Sequence, residues 1–170
     1  GFDVYEALQG CTEYIEQFGG HKYAAGLILL EHHYDDFKKQ FEKVVSETID
    51  PKLLTPEILI DARIALGDIT PKLMRILKQF APFGPGNMRP VFMSEGVSDT
   101  GYGKGVGEEE KHLKLSLTKN RSRPIGAIGF NLGSRMEKVK NGQSFDVVYT
   151  LDENEWNGTI SLQLKLKDLK

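Results

Sequence analysis

The sequence holds one cysteine, Cys11, which excludes an internal disulfide and any zinc site built on several thiolates. A reducing compartment, by default the cytoplasm, is the expectation for such a chain. No apolar run approaches the roughly 20 residues of a membrane-spanning helix, and no secretory leader is expected from its start. Charge of one sign is lacking too. The 22 Lys and Arg stand against 24 Asp and Glu, with an isoelectric point near 6.1, so a uniformly basic nucleic-acid binder is excluded. There is one tryptophan, no internal repeat and no low-complexity segment. The first residue is Gly1 rather than Met, and helix signals follow at once, so the chain is expected to be cut from a longer one. What is present is 170 residues of ordinary globular composition, enough for one or two domains with a real core.

The charge is unevenly spread. Residues 1–89 carry ten Lys and Arg against thirteen acids. Residues 111–140 carry eight basic residues, and Glu137 is the only acid among them. A solvated loop surface and a local polyanion footprint both fit such a run.

Helical spacing of Val4, Leu8, Cys11, Ile15 and Phe18 predicts an amphipathic helix over 3–18. Asp3 and Glu6 form its capping box, and Gly19 takes a left-handed position after the last turn. Tyr23 to Leu30 has the length of a buried strand. A second helix is predicted from Asp35 to Ile49, with Phe37, Phe41, Val44 and Val45 inward. Alternation of Ile58, Ile60, Ala62 and Ile64 predicts a strand, and Thr70-Pro71 opens a helix through Phe80. The run Ala81-Pro82-Phe83-Gly84-Pro85-Gly86-Asn87 must break it. Everything after Arg89 reads as β. Leucines alternate at 113, 115 and 117, apolar residues at 145, 147, 149 and 151, and leucines again at 162, 164 and 166. A two-residue turn at Asn157-Gly158 puts Leu151 opposite Leu164 and Tyr149 opposite Leu166, all on one face. Short strands with a single core face fit a small barrel or sandwich.

Three separated motifs carry a resemblance. Phe18-Gly19-Gly20-His21-Lys22-Tyr23-Ala24-Ala25-Gly26 resembles the signature of the DHH-associated domain of DHH-family phosphoesterases. The proline-glycine run 81–87 with Pro90-Val91-Phe92, and Asn154-Glu155-Trp156-Asn157-Gly158 before Ser161-Leu162-Gln163-Leu164, resemble the RecJ branch of that family. The resemblance implies a bacterial, cytoplasmic, single-strand-specific 5′→3′ exonuclease of DNA repair and recombination, dependent on Mn²⁺ or Mg²⁺. It implies α+β or α/β architecture: the C-terminal part of a DHH-associated α/β domain over 1–54, a strand–helix connector over 55–90, and an OB-like antiparallel β-barrel that binds nucleic acid over 91–170. The metal-binding Asp-His-His motif of the family belongs to an upstream domain. This chain is therefore expected to hold no metal and to be inactive alone, binding and positioning single-stranded DNA. The alternative is an appended RNA- or tRNA-binding module of a synthetase-like or small-oligonucleotide phosphoesterase protein. A third reading makes the barrel a docking module, with single-strand-binding protein as a partner.

Gly19, Gly20, His21 and Lys22 are the candidate phosphate contact. Glycines let backbone N–H groups approach an anion, a histidine donates a hydrogen bond, and a lysine adds charge. A helix cap followed by an ordinary histidine is the bland account of the same residues. Glu31-His32-His33 does not read as a metal site, because adjacent histidines diverge on a strand or a helix. Gly101 to Gly107 fails the Walker pattern, since no Ser or Thr follows Lys104, and reads as a flexible loop. Lys104, His112, Lys114, Lys119, Arg121 and Arg123 are the candidate single-strand contacts. His112 and Ser116 should share the face of Lys114. Phe130 and Trp156 are the nearest stacking candidates, and sequence leaves both equally eligible for the core.

Overall fold

The computed structural model describes residues 1–120, 122–140 and 142–170. The chain divides into two compact units, Gly1–Ile58 and Leu59–Lys170.

In the first unit, α1 (Val4–Gln9) is capped by Asp3, whose carboxylate accepts from the Glu6 amide at 3.0 Å. The helix predicted through residue 18 therefore stops nine residues early. Gly10 ends it where α2 (Tyr34–Thr48) comes close: a Cβ at Gly10 would stand 2.9 Å from a Val44 methyl. A 3₁₀ turn over Thr12–Tyr14 follows, and then β1 (Gln17–His21). Cys11 is buried between these segments, and burial pushes its thiol pKa up. β1 pairs antiparallel with β2 (Ala24–Ile28) across the two-residue turn Lys22-Tyr23. The strand expected over 23–30 is thus present, but as an exposed hairpin arm, with Tyr23, Ile28 and Leu30 open to solvent. Gly19 lies in β1 opposite Gly26, and the positive φ belongs to Gly20, at 144°.

In the second unit, only β3 (Ala62–Arg63) of the strand expected over 58–64 forms, pairing in parallel with the start of β4 (Phe92–Asp99). Asp61 fastens this short contact by accepting the Val91 amide at 2.8 Å. α3 (Pro71–Lys78) begins as predicted, with Thr70 Oγ1 accepting from the Leu73 amide at 3.2 Å. After it, the Asn87 side chain donates to the carbonyls of Phe80 and Pro82 and closes the proline-glycine turn.

The remaining strands are β5 (Lys104–Val106), β6 (His112–Thr118), β7 (Ile125–Gly129), β8 (Phe145–Trp156) and β9 (Thr159–Leu169). Their pairings run β3-β4-β8-β9-β7-β6-β5, and a further β4–β6 pairing makes β4, β6, β7, β9 and β8 a cycle of five. Leu151 faces Leu164 and Tyr149 faces Leu166, as the turn required. Two expectations need correction. The barrel is not wholly antiparallel, because β7 and β9 run parallel. Nor is everything after Arg89 β: a 3₁₀ turn over Gly133–Arg135 leads into α4 (Met136–Lys140), which buries Val139 in the core. The loop expected over 101–107 contains β5.

The core lies inside this cycle. Leu113, Leu115 and Leu117 meet Val97, Ala127, Val147 and Leu164, all buried. Tyr149 is fully buried among them, its hydroxyl 2.7 Å from Ser94 Oγ, which also donates to the Ile64 carbonyl. Burial pushes the Tyr149 pKa up to about 12, partly offset by the Ser94 hydrogen bond.

Candidate nucleic-acid interface

Inward leucines on β6 oblige its even-numbered residues to face out. Strand pairing then sets them in rows. Lys104, Lys114, Ile128 and Lys165 are successive partners across β5, β6, β7 and β9. Ser116, Gly126, Gln163 and Asp152 form a parallel row. Lys114 and Lys165, two strand spacings apart, are separated by about 10 Å.

Over these rows lies a groove of about 600 Å³. Val106, His112 and Phe130 line one end, Asn154 and Trp156 the other, with Lys114, Ile128 and Lys165 on the floor. Phe130 is 51% and Trp156 74% exposed, so neither is a core residue. His112 Nδ1 accepts from the Asn131 amide at 3.1 Å, which leaves the proton of the neutral ring on Nε2. The groove is cationic but not purely so. Asp152 also lines it, 3.9 Å from the Arg89 guanidinium.

The loop at the β5 end is organised by Asp99. Its carboxylate accepts from the amides of Gly101, Gly103 and Ser116 at 2.7–2.8 Å. Three N–H donors on one carboxylate fix how the chain leaves β4 and where β5 can pair.

The structure brings Lys104, His112 and Lys114 to one outer face, with Ser116 beside them. It does not bring all the candidate cations together. Lys119, beyond the far end of β6, donates to the Glu95 carbonyl at 2.6 Å. Arg123 lines a separate cleft with Pro71, Ile125 and Ile160. Arg121 lies outside the described residues. Sequence reading missed Lys165, though alternation on β9 had turned it outward; its proximity to Lys114 depends on the parallel β7–β9 pairing.

In the first unit, Gly19, Gly20 and His21 run along β1 from the middle of the hairpin to its last rung, and Lys22 opens the turn. Gly19 and Gly26 face each other with open space where a Cβ would stand. A Cβ at Gly20 would meet Ala25 Cα at 2.6 Å, so the tight strand pairing itself demands glycine there. His21 is exposed, and its Nδ1 accepts from the Tyr23 amide at 3.2 Å, which presents Nε2–H outward as a donor. The rings of His32 and His33 pack edge to face at 4.2 Å. Among the described residues no three His, Cys, Asp or Glu side chains converge on a cation position, and no helix is long and apolar enough to cross a membrane.

A five-stranded cycle with a β7–β9 parallel step, a helix before its fourth strand and a groove over strands two and three is an OB-fold. Residues 60–168 match the family described as the RecJ OB domain, and the chain belongs to that family. It is similar to proteins named single-stranded-DNA-specific exonuclease RecJ. The relative from Bacillus subtilis is 28% identical over 168 residues, covering 99% of this chain and 21% of the relative. That from Escherichia coli is 30% identical over 154 residues, covering 90% and 26%. The chain thus spans about a quarter of the length of these relatives. The crystal structure of RecJ with Mg²⁺ from Thermus thermophilus shares the fold, with a TM-score of 0.70 at 24% identity, over 99% of this chain and 25% of that one.

Proposed function

We propose that this chain is the single-stranded-DNA-binding and substrate-positioning portion of a longer 5′→3′ exonuclease acting in DNA repair and recombination. The observation that carries this reading is the groove, where Lys114 and Lys165 stand ready for phosphates between exposed Phe130 and Trp156. Cations that track a backbone, combined with aromatic faces, form the usual arrangement for sequence-tolerant single-strand binding. Lys104 and His112 extend the contact beyond the groove floor. Lys119 and Arg123 stand outside the groove and are at most secondary contacts to the strand. In the first unit, the backbone around Gly19 and Gly20, left open by the absent side chains, joins His21 Nε2–H and Lys22 in holding a phosphate near the hydrolytic centre.

The family implies Mn²⁺ or Mg²⁺ for that centre. Hard divalent cations need several convergent oxygen ligands, and the side chains described here do not supply them. The resemblance puts the metal-binding motif upstream, so the metal and the hydrolytic step are assigned to another part of the longer protein, and no nucleotide release is expected from this chain alone. The cytoplasm is the proposed compartment. Single-strand-binding protein is a proposed partner, since that protein and this groove would bind the same strand.

The test is fluorescence anisotropy with labelled single-stranded DNA, duplex DNA and single-stranded RNA of equal length. Preferential binding of single-stranded DNA, lost on reversing Lys114 and Lys165 to Glu, is expected. Equal affinity for duplex, preference for RNA, or indifference to the double reversal overturns the reading.

A further inference from the structure

The two aromatics of the groove are presented differently. Phe130 is already engaged. The His112 ring stands edge-on to it, with centroids 5.1 Å apart and planes at 71°. The Lys165 ammonium lies over its face, 5.4 Å from the centroid. Trp156, the only tryptophan of the sequence, ends β8 beside the Asn157-Gly158 turn, paired with Thr159. It is 74% exposed, and among the described residues no aromatic ring or cation packs on it. Strand alternation sets it on the face of Asn154 and Asp152, toward the groove.

A base stacking on Phe130 must compete with the ammonium that already uses the negative face of that ring. A base stacking on Trp156 displaces only water, onto the largest π surface a side chain offers. We propose that the two rings divide the work. Trp156 is the platform for one base of the bound strand. Phe130 is a positioning residue that holds Lys165, and through it a phosphate. This rests on the groove being the single-strand site.

The experiment uses the full 170-residue chain with two strands of equal length, oligothymidylate and an abasic sugar–phosphate chain. Because Trp156 is the sole tryptophan, its emission reports stacking directly. Oligothymidylate quenches it, and the abasic strand does not. Trp156→Ala weakens binding of oligothymidylate about tenfold and leaves the abasic strand unaffected, while Trp156→Phe retains most of the affinity. Phe130→Leu weakens both strands by the same factor and lowers the salt slope by about 0.7, the share of one phosphate contact. Unquenched emission from a bound chain overturns the proposal. So does a Trp156→Ala loss equal on both strands, or a Phe130→Leu loss confined to oligothymidylate. Reversal of Lys114 and Lys165 separates the levels. If it abolishes binding, and oligothymidylate bound to the unsubstituted chain leaves Trp156 unquenched, only the division of work fails. If it leaves binding intact, the groove fails with it.

Discussion

The Lys119 ammonium donates to the main-chain carbonyl of Glu95 at 2.6 Å, tying the end of β6 to β4. Lys114, within β6 itself, has no such engagement among the described residues and stands over the groove. The two lysines should therefore respond differently to substitution. Reversing Lys114 and Lys165 to Glu lowers the slope of log K against log salt by at least about 1.4, two single-strand phosphate contacts. Lys119→Gln lowers it by less than one contact, but costs about 1 kcal/mol of stability through the lost hydrogen bond. Salt titrations beside urea denaturation measure both.

Asp99 carries more structural weight than any groove cation. Replacing it with Ala strands two amides of the loop that leads to β5 and one on β6. Hydrogen bonds to a charged group contribute roughly 1.5–3 kcal/mol each in favourable settings, and these share one carboxylate. A loss of about 3 kcal/mol is expected, with fast amide exchange at Gly101 and Gly103 well before global unfolding. Unchanged exchange there would show that the loop is held by other means.

His21 and Gly20 are adjacent, and their substitutions part company. His21→Ala leaves the thermal midpoint of this chain nearly unchanged, because the ring is exposed and gives up one turn hydrogen bond. In the longer protein the same change slows cleavage severely if the ring meets a substrate phosphate. Gly20→Val harms folding first, since φ is 144° and Ala25 occupies the space of its side chain. Wild-type turnover with His21→Ala would return that residue to a purely local role.

Stability should fall in strong alkali by a route through Tyr149. Its folded-state pKa is raised to about 12 from the ordinary 10, so the folded state favours the protonated phenol. The associated stability is fully present below pH 10 and disappears as pH rises from there through 12. Tyr149→Phe removes this step, whatever its cost at neutral pH. Denaturation midpoints of the two proteins that fall in parallel between pH 10 and 12 would exclude Tyr149 as the cause.

Local signals carried much of the fold. Asn157-Gly158 and flanking alternation defined a hairpin whose Leu151–Leu164 and Tyr149–Leu166 pairs are those observed. Thr70-Pro71 marked a helix start because cap and rigid first residue act within one turn. What failed was where chance spacing or distance intervened. Val4, Leu8, Cys11, Ile15 and Phe18 repeat at helical intervals, yet the chain reaches them through a helix, a 3₁₀ turn and a strand. The parallel β7–β9 pairing joins segments with no turn between them. Lys165 therefore showed its outward face in the sequence, but not its neighbours Ile128 and Phe130.

The position of β9 in the cycle has a consequence for how the protein is made. Ten residues of β9 pair with β8 and four with β7, and its Leu164, Leu166 and Leu169 complete the core. A nascent chain that has emerged only as far as Gly158 holds β7 and β8 with no common partner. Its inner face of Ala127, Tyr149 and Leu151 then stays uncovered, with unpaired strand edges on either side. A nascent chain halted at that point would thus carry its greatest aggregation risk, and cooperative closure waits for β9 to become free to pair.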